Sequence, residues 1–403
     1  MDGGATMYPP FDHWFWWLPT FFLGACIGSF LNVVIYRVPR NLSVNKPNRS
    51  FCPRCKAPIT MRHNLPIVSW LWLRGKCADC GGRISFRYFA VELLTACLFL
   101  GVWVAFAPEA VAAIPFLWLL VAFLVAISFI DAEFLIVPLA LTWAGSAAGI
   151  AAAALWPRLP MLGSAALPGR IDGLIQAGLG WVIGFFGLWS VVLLGKLAFG
   201  RKRIEFDEEV EWKVCEPEEE DRPLLFVIDG EENEWWDMFY RPSDRLLIDA
   251  AGVKVDGEKI GDGLVTVREG SVELPDGRTV DMEHIASLSG RTRRVTIPRE
   301  AMGMGDVHLM GMIGAFFGWA GVFFSLFSAC VFAIAAAVVG RIGFGVRLPF
   351  GPFLALGALV WMFGGWQIWQ WYLETLTAVP EPSSFTVLFG LGGLNLLLRR
   401  RKI

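Results

Sequence analysis

Arg299-Glu-Ala-Met-Gly303-Met-Gly305-Asp306-Val-His308-Leu-Met-Gly-Met312 opens an apolar run long enough to cross a bilayer. A carboxylate at the mouth of a membrane segment is costly, so it marks a functional site by default. Gly303 and Gly305 beside it carry no side-chain bulk, which lets another backbone come close. A single acid can be a structural accident. A second acid stands where an upstream apolar run ends, in Phe129-Ile130-Asp131-Ala132-Glu133. Two carboxylates from two membrane helices cannot both ionise cheaply if they meet, so one keeps a proton while the other activates water. Asp131 and Asp306 are therefore the candidate catalytic pair of an aspartic-protease site. Glu133 is the rival for the first acid.

The rest of the chain suits such a pair. Of its 403 residues 55% are hydrophobic, mean hydropathy is +0.52, and there are 19 Trp and 32 Phe. That is a polytopic membrane protein, with the lipid bilayer as its solvent. Residues 1–10 have no basic segment and the first apolar run lacks an A-x-A-like end, so no cleavable signal peptide is expected. Trp14, Trp16 and Trp17 read as an interfacial aromatic belt.

Eight spans are expected, at roughly 15–36, 88–107, 110–130, 137–156, 171–199, 307–319, 322–340 and 350–372. The loop 37–87 holds 11 Lys and Arg against one acid, Asp79. The positive-inside rule puts this loop in the cytoplasm and the N-terminus outside. Counting crossings then puts Asp131 and Asp306 on the same cytoplasmic side.

The chain divides into a first span (1–36), a four-cysteine loop (37–87), spans carrying Asp131 (88–199), an insertion (200–298), spans carrying Gly303–Asp306 (299–372) and a tail (373–403). Residues 201–300 carry 26 acids against 15 bases, and the run Glu216–Asp221 reads as a solvated surface. Asp256-Gly257, Asp262-Gly263 and Asp276-Gly277 lie between short alternating segments, a hairpin signal. The insertion is thus a small β-rich cytoplasmic domain.

Cys52-Pro-Arg-Cys55 and Cys77-Ala-Asp-Cys80 are two C-x2-C pairs at a spacing that signals a tetrathiolate zinc site. In the cytoplasm a disulfide rarely persists. Four ligands close the coordination sphere, so this zinc would be structural. Cys26, Cys97 and Cys330 lie in apolar spans and read as packing residues. Glu92, near the start of a span, either bonds a neighbouring helix or contributes to a site. His308 either tunes Asp306 or occupies a helix face. No His-Glu-x-x-His pair, no Gly-x-Ser-x-Gly elbow and no nucleotide fingerprint occurs, and no nucleic-acid partner is expected.

Gly24-Ala-Cys-Ile-Gly28-Ser29-Phe30-Leu31-Asn32, the two cysteine pairs, Ile130-Asp131, Gly303-Met-Gly305-Asp306 and Pro349-Phe-Gly351-Pro352 occur in that order. Together they resemble bacterial prepilin peptidases, the type IV leader peptidases of the Gly-x-Gly-Asp membrane aspartic protease class. The resemblance implies an all-α polytopic protein of the bacterial inner membrane. It implies cleavage of type IV prepilin or type II secretion pseudopilin precursors after a glycine on the cytoplasmic side. For many members it also implies methylation of the new N-terminus with S-adenosylmethionine. The family's catalytic aspartates map onto Asp131 and Asp306, and its cysteines onto Cys52, Cys55, Cys77 and Cys80. The chain departs from the family at Val137-Pro138-Leu139, where members have Ile/Leu-Pro-Asp, and at His308, where they have Lys.

Val379-Pro-Glu-Pro, a short apolar run and Arg399-Arg-Arg-Lys402 resemble the sorting tails processed by exosortases. A sorting tail would be unusual on a polytopic protease, so the preferred reading of this stretch is an ordinary ninth anchoring span. Two further functions stay open on sequence. One is a non-catalytic assembly factor of a pilus or secretion system that kept the fold. The other is a presenilin-like protease cutting inside spans, which the cytoplasmic four-cysteine loop disfavours.

Overall fold

The apolar runs fold as helices that are greasy on most sides, as lipid-embedded helices are. A computed structural model describes residues 13–46, 50–52, 54–162, 168–199, 201–215, 224–239, 244–285, 287–298, 303–341 and 348–378. The expectations for the acid run Glu216–Asp221 and for the tail from Val379 fall outside them. The chain forms two units, one of residues 1–188 and 305–403 and one of Trp189–Met304.

In the first unit α1 (Trp17–Arg37) leads into the cysteine loop, which holds the short α2 (Val68–Trp72). Then come α3 (Phe86–Ala110), α4 (Ile114–Phe134) and α5 (Leu139–Leu155). α6 (Arg170–Phe199) begins in this unit. α1 and α3 lie very close: a Cβ on Gly24 or Gly28 would stand 2.7 Å from the Cα of Ala96 or Glu92. Small residues allow such backbone approach between membrane helices. α4 ends because Leu135 takes a left-handed conformation (φ 56°) and returns its N–H to the Asp131 carbonyl at 2.9 Å. Asp131 therefore sits in the last turn of α4.

The second unit is built on one eight-stranded antiparallel sheet. Its strands are β1 (Arg201–Cys215), β2 (Leu225–Ile228), β3 (Glu231–Glu234), β4 (Leu246–Val255), β5 (Glu258–Val267), β6 (Ser271–Glu273), β7 (Thr279–Asp281) and β8 (Leu288–Pro298). The order is β3-β2-β1-β8-β4-β5-β6-β7, with one helical turn, α7 (Trp235–Met238), after β3. Trp212, Phe226, Leu246, Ile248, Val265 and Val295 are central to its core. Asp256-Gly257 and Asp276-Gly277 turn hairpins as expected, with positive φ at Gly257 and Gly277. Asp262-Gly263 does not: it lies inside β5. Asp262 instead accepts the Gly252 N–H at 2.6 Å, next to a register shift between β4 and β5. The same dipeptide therefore serves a bulge, which also needs permissive backbone.

The first unit resumes with α8 (Met304–Val339), α9 (Gly351–Val360), a π-helical turn Trp361–Gly365 and α10 (Trp366–Ala378). The two spans expected at 307–319 and 322–340 belong to one element, α8, broken at Gly318 (φ 65°, ψ −172°). Glycine permits this left-handed backbone, and the Pro160 carbonyl lies in the space that a Cβ at Gly318 would fill.

Among the described residues five segments are long and apolar enough to cross a membrane: Trp14–Arg40, Phe86–Phe134, Arg170–Gly195, Met304–Val339 and Gly351–Thr375. Phe86–Phe134 contains both α3 and α4, and Leu139–Leu155 is a shorter apolar helix. Many large apolar side chains, such as Leu18, Phe186 and Phe327, are exposed on these helices. Cys26, Cys97 and Cys330 are exposed too, not packed inside as expected. An all-apolar helix gives no sequence signal for which face turns inward, because lipid accepts either.

Candidate active site and metal centre

Asp131 and Asp306 are both buried, 5% and 8% exposed. They lie within electrostatic reach of each other. Two close approaches hold the elements that carry them. Gly305, just before Asp306 on α8, lies against the α4–α5 link, where a Cβ would stand 2.6 Å from Val137 Cβ. Gly351, the first residue of α9, donates its N–H to Asp131 Oδ2 at 2.9 Å. A Cβ on Gly351 would lie 2.7 Å from that same oxygen. Asp131 thus faces a helix N-terminus, whose free N–H groups and dipole suit a carboxylate. Asp306 Oδ1 is buried with no hydrogen-bond partner among the described residues.

Glu133 is placed differently. It forms an ion pair with Arg87 and lies 4.0 Å from Arg40, with its side chain 38% exposed. The His308 ring packs on Trp143 and Phe185, with centroids 5.5 and 5.0 Å away. That is an aromatic helix face on α5 and α6.

The four cysteines converge. Cys52, Cys55, Cys77 and Cys80 have sulfurs all within 4.8 Å of one another. A tetrahedral zinc with Zn–S near 2.3 Å needs sulfurs about 3.8 Å apart, and Cys52 and Cys80 Sγ stand at 4.0 Å. Two similar turns build the cluster. Lys56 N–H bonds the Cys52 carbonyl at 2.8 Å, and Gly81 N–H bonds the Cys77 carbonyl at 3.0 Å. Each of these donors follows a second cysteine and has positive φ, 58° and 68°. The Cys55 N–H, with other groups, pulls the Cys52 thiol down to about 7. The neighbouring Cys55 thiol is pushed the opposite way, up to about 11, so Cys52 is the member poised to give a thiolate first, and a bound metal would draw the proton from its neighbour. The donor set fits zinc.

A cavity of about 480 Å³ lies between this loop, α1, α3 and the end of α4. Ser29, Asn32, Tyr36, Trp70, Glu92 and Glu133 are among its lining residues. Its size is that of a small-molecule site. The sequence offered Glu92 as either a helix contact or a site residue, and it lines this cavity. Two contributors were missed in sequence: Gly351 as a donor to Asp131, and Asn32 as a cavity residue. Both lie in stretches that carried the resemblance, which was the available signal.

Three family profiles match the chain. "Bacterial Peptidase A24 N-terminal domain" covers residues 22–106, "Type IV leader peptidase family" covers 286–338, and "PEP-CTERM protein-sorting motif" covers 378–402. Asp306 and the four cysteines fall within the first two matches, and Asp131 between them. Curated relatives carry the name prepilin leader peptidase/N-methyltransferase. One from Myxococcus xanthus is 40% identical over 186 residues, 46% of this chain and 50% of the relative. One from Aeromonas hydrophila is 34% identical over 223 residues, 48% of this chain and 70% of the relative. One from Klebsiella pneumoniae is 32% identical over 216 residues, covering 51% and 83%. The chain thus spans half the length of the Myxococcus relative and more of the others. No solved structure matches.

Proposed function

Because this chain belongs to the type IV leader peptidase family, we propose that it cleaves the leader of type IV prepilins or type II secretion pseudopilins and methylates the new N-terminus. Cleavage after a glycine at the cytoplasmic face of the bacterial inner membrane is part of this reading. The observation that carries it is the convergence of two buried aspartates from the end of α4 and the start of α8. Asp131, with the Gly351 N–H and a helix N-terminus against it, suits the base that deprotonates water. Asp306 then holds the proton and donates a hydrogen bond to the scissile carbonyl. The prepilin's apolar segment docks among the spans. Mass spectrometry of a candidate prepilin, produced with and without this protein, tests the reading. Loss of the leader and a methyl mass increment support it, and an unchanged precursor rejects it in favour of an assembly factor.

α1, α3, α4, α5, α6, the two halves of α8 and α9–α10 give eight passages under this reading. The basic loop 37–87 sets the orientation, with the N-terminus outside. Cys52, Cys55, Cys77 and Cys80 would hold zinc and fix the loop. S-adenosylmethionine supplies the methyl group when bound, and the cavity beside the loop has the size for a molecule of that class. The match at 378–402 favours the sorting-tail reading of the C-terminal stretch and processing by an exosortase.

Purified protein is expected to hold about one zinc per chain, and Cys55→Ser or Cys80→Ser to lose most of it, since an open coordination position weakens a structural site. Zinc should also leave as pH falls, because thiolates protonate. Elemental analysis decides, and a metal-free protein prepared without chelator would reject the site.

The insertion is peripheral to the chemistry in this reading. Arg201 pairs with Pro298 and Ile204 with Val295, so the sheet's entry and exit strands lie side by side. A short flexible linker can therefore replace residues 204–298. The shortened protein is expected to insert and to cleave. Total loss of cleavage in a well-inserted variant would give the sheet a role in presenting substrate.

A further inference from the structure

The cavity beside the cysteine loop holds buried polar groups that the peptide-bond chemistry does not use. Asn32 on α1 is 3% exposed and Glu92 on α3 is 9% exposed. Asn32 Nδ2 donates to the Tyr88 carbonyl at 3.0 Å and lies 3.4 Å from the Gly28 carbonyl. Both partners are acceptors, so they fix the amide with its nitrogen toward them. Asn32 Oδ1 is left buried with no partner among the described residues. Glu92 Oε2 accepts the Ile67 N–H at 2.7 Å, and the Ser29 hydroxyl also bonds this carboxylate. Ile67 reaches it from a positive φ of 65°, rare for a β-branched residue.

No cation pairs with Glu92 among the described residues. Five arginines line the same cavity, Arg37, Arg40, Arg54, Arg83 and Arg87, and three of them face other groups. Arg87 and Arg40 face Glu133, and Arg37 bonds the Ser43 and Val44 carbonyls. Asn32, with its unmet acceptor, and Glu92, with its buried carboxylate, thus both line one cavity, on two helices packed tightly at Gly28.

The geometry points to a subsite in which Asn32, Glu92 and Ser29 bind the free ammonium of a peptide N-terminus. An ammonium has three donors, one positive charge and no acceptor. It satisfies Asn32 Oδ1 and neutralises Glu92 at once. The cavity is also lined by Glu133, two residues beyond Asp131 on α4. A new N-terminus released at the dyad would thus lie near the cavity that receives it. Val33, Leu65 and Trp70 also line the cavity and suit an apolar segment behind the amine. The assignment of this amine to a cleaved prepilin rests on the proposed function, whereas the ammonium chemistry rests on the cavity.

Peptide binding to the full-length protein in detergent tests it with three probes. The first is a mature-sequence peptide with a free apolar N-terminus. The second is the same peptide acetylated. The third is a lysine-bearing leader peptide with a blocked N-terminus. The free peptide is expected to bind about tenfold to a hundredfold more tightly than the acetylated one, the range of a lost charge-assisted hydrogen bond. Asn32→Leu and Glu92→Gln should erase that difference, and Ser29→Ala should reduce it. Size exclusion and helical circular dichroism confirm that each variant is folded, and Ser29→Ala, at a half-buried position, serves if the others are not. Equal binding of free and acetylated peptide overturns the proposal. Tight binding of the lysine peptide that depends on Asn32 overturns the N-terminal assignment. A wild-type protein that binds the free amine but neither cleaves nor methylates keeps the subsite and removes the enzymatic reading.

Discussion

Asp131→Asn and Asp306→Asn are each expected to lower leader cleavage by at least about 10²–10⁴-fold, the usual contribution of a positioned acid or base, while the protein still inserts. Asparagine keeps the shape and can still accept the Gly351 N–H, but it cannot exchange the proton. The double variant should be little worse than either single one, because groups that act as a unit are strongly non-additive. Glu133→Gln should retain cleavage, since Glu133 is half-exposed and engaged by Arg87 and Arg40. The pH profile should be bell-shaped and report apparent values of the pair. The measurement is turnover of a purified prepilin by gel shift and mass. Normal cleavage by Asp131→Asn together with loss in Glu133→Gln would mean that the first acid is Glu133. Normal cleavage by both aspartate variants would remove the aspartic mechanism.

Gly351→Ala is the second large effect, and it comes from the structure alone. The added methyl would stand 2.7 Å from Asp131 Oδ2, inside contact distance, at the residue whose N–H holds that oxygen. Either Asp131 turns away or α9 backs off, and in both cases the carboxylate leaves its position. A displacement near 1 Å costs on the order of 10²-fold in a positioned reaction. Turnover should fall by that amount while zinc content and membrane insertion are unchanged. Wild-type turnover by Gly351→Ala would show that the clamp on Asp131 does not matter to the chemistry. Gly305→Ala is a companion test on the other aspartate: its added methyl would stand 2.6 Å from Val137 Cβ, an atom that moves only with its backbone, so α8 and the α4–α5 link would have to separate.

Sequence by itself determined the features that depend on local composition. The long apolar runs are helical from the residues of α1 to those of α10, because their length and hydropathy leave little else. Cysteine spacing found Cys52, Cys55, Cys77 and Cys80, because a C-x2-C pair is short enough to be shaped by its own turn. The apolar runs and the glycines beside Asp306 singled out the two aspartates, since acids at span ends are costly. The tertiary structure alone decided what faces what. It brought Gly351 to Asp131 across 220 residues. It put Asp262-Gly263 inside β5 rather than in a turn, because bulges and hairpins ask for the same permissive backbone. It broke α8 at Gly318, where the Pro160 carbonyl lies in the space a Cβ would fill, a contact no local pattern encodes. It turned Cys26, Cys97 and Cys330 outward, since a helix greasy on every side carries no periodic signal of its buried face. It also joined Asn32 to Glu92 through the α1–α3 approach at Gly28, a closeness set by packing between helices and not by the order of residues within either.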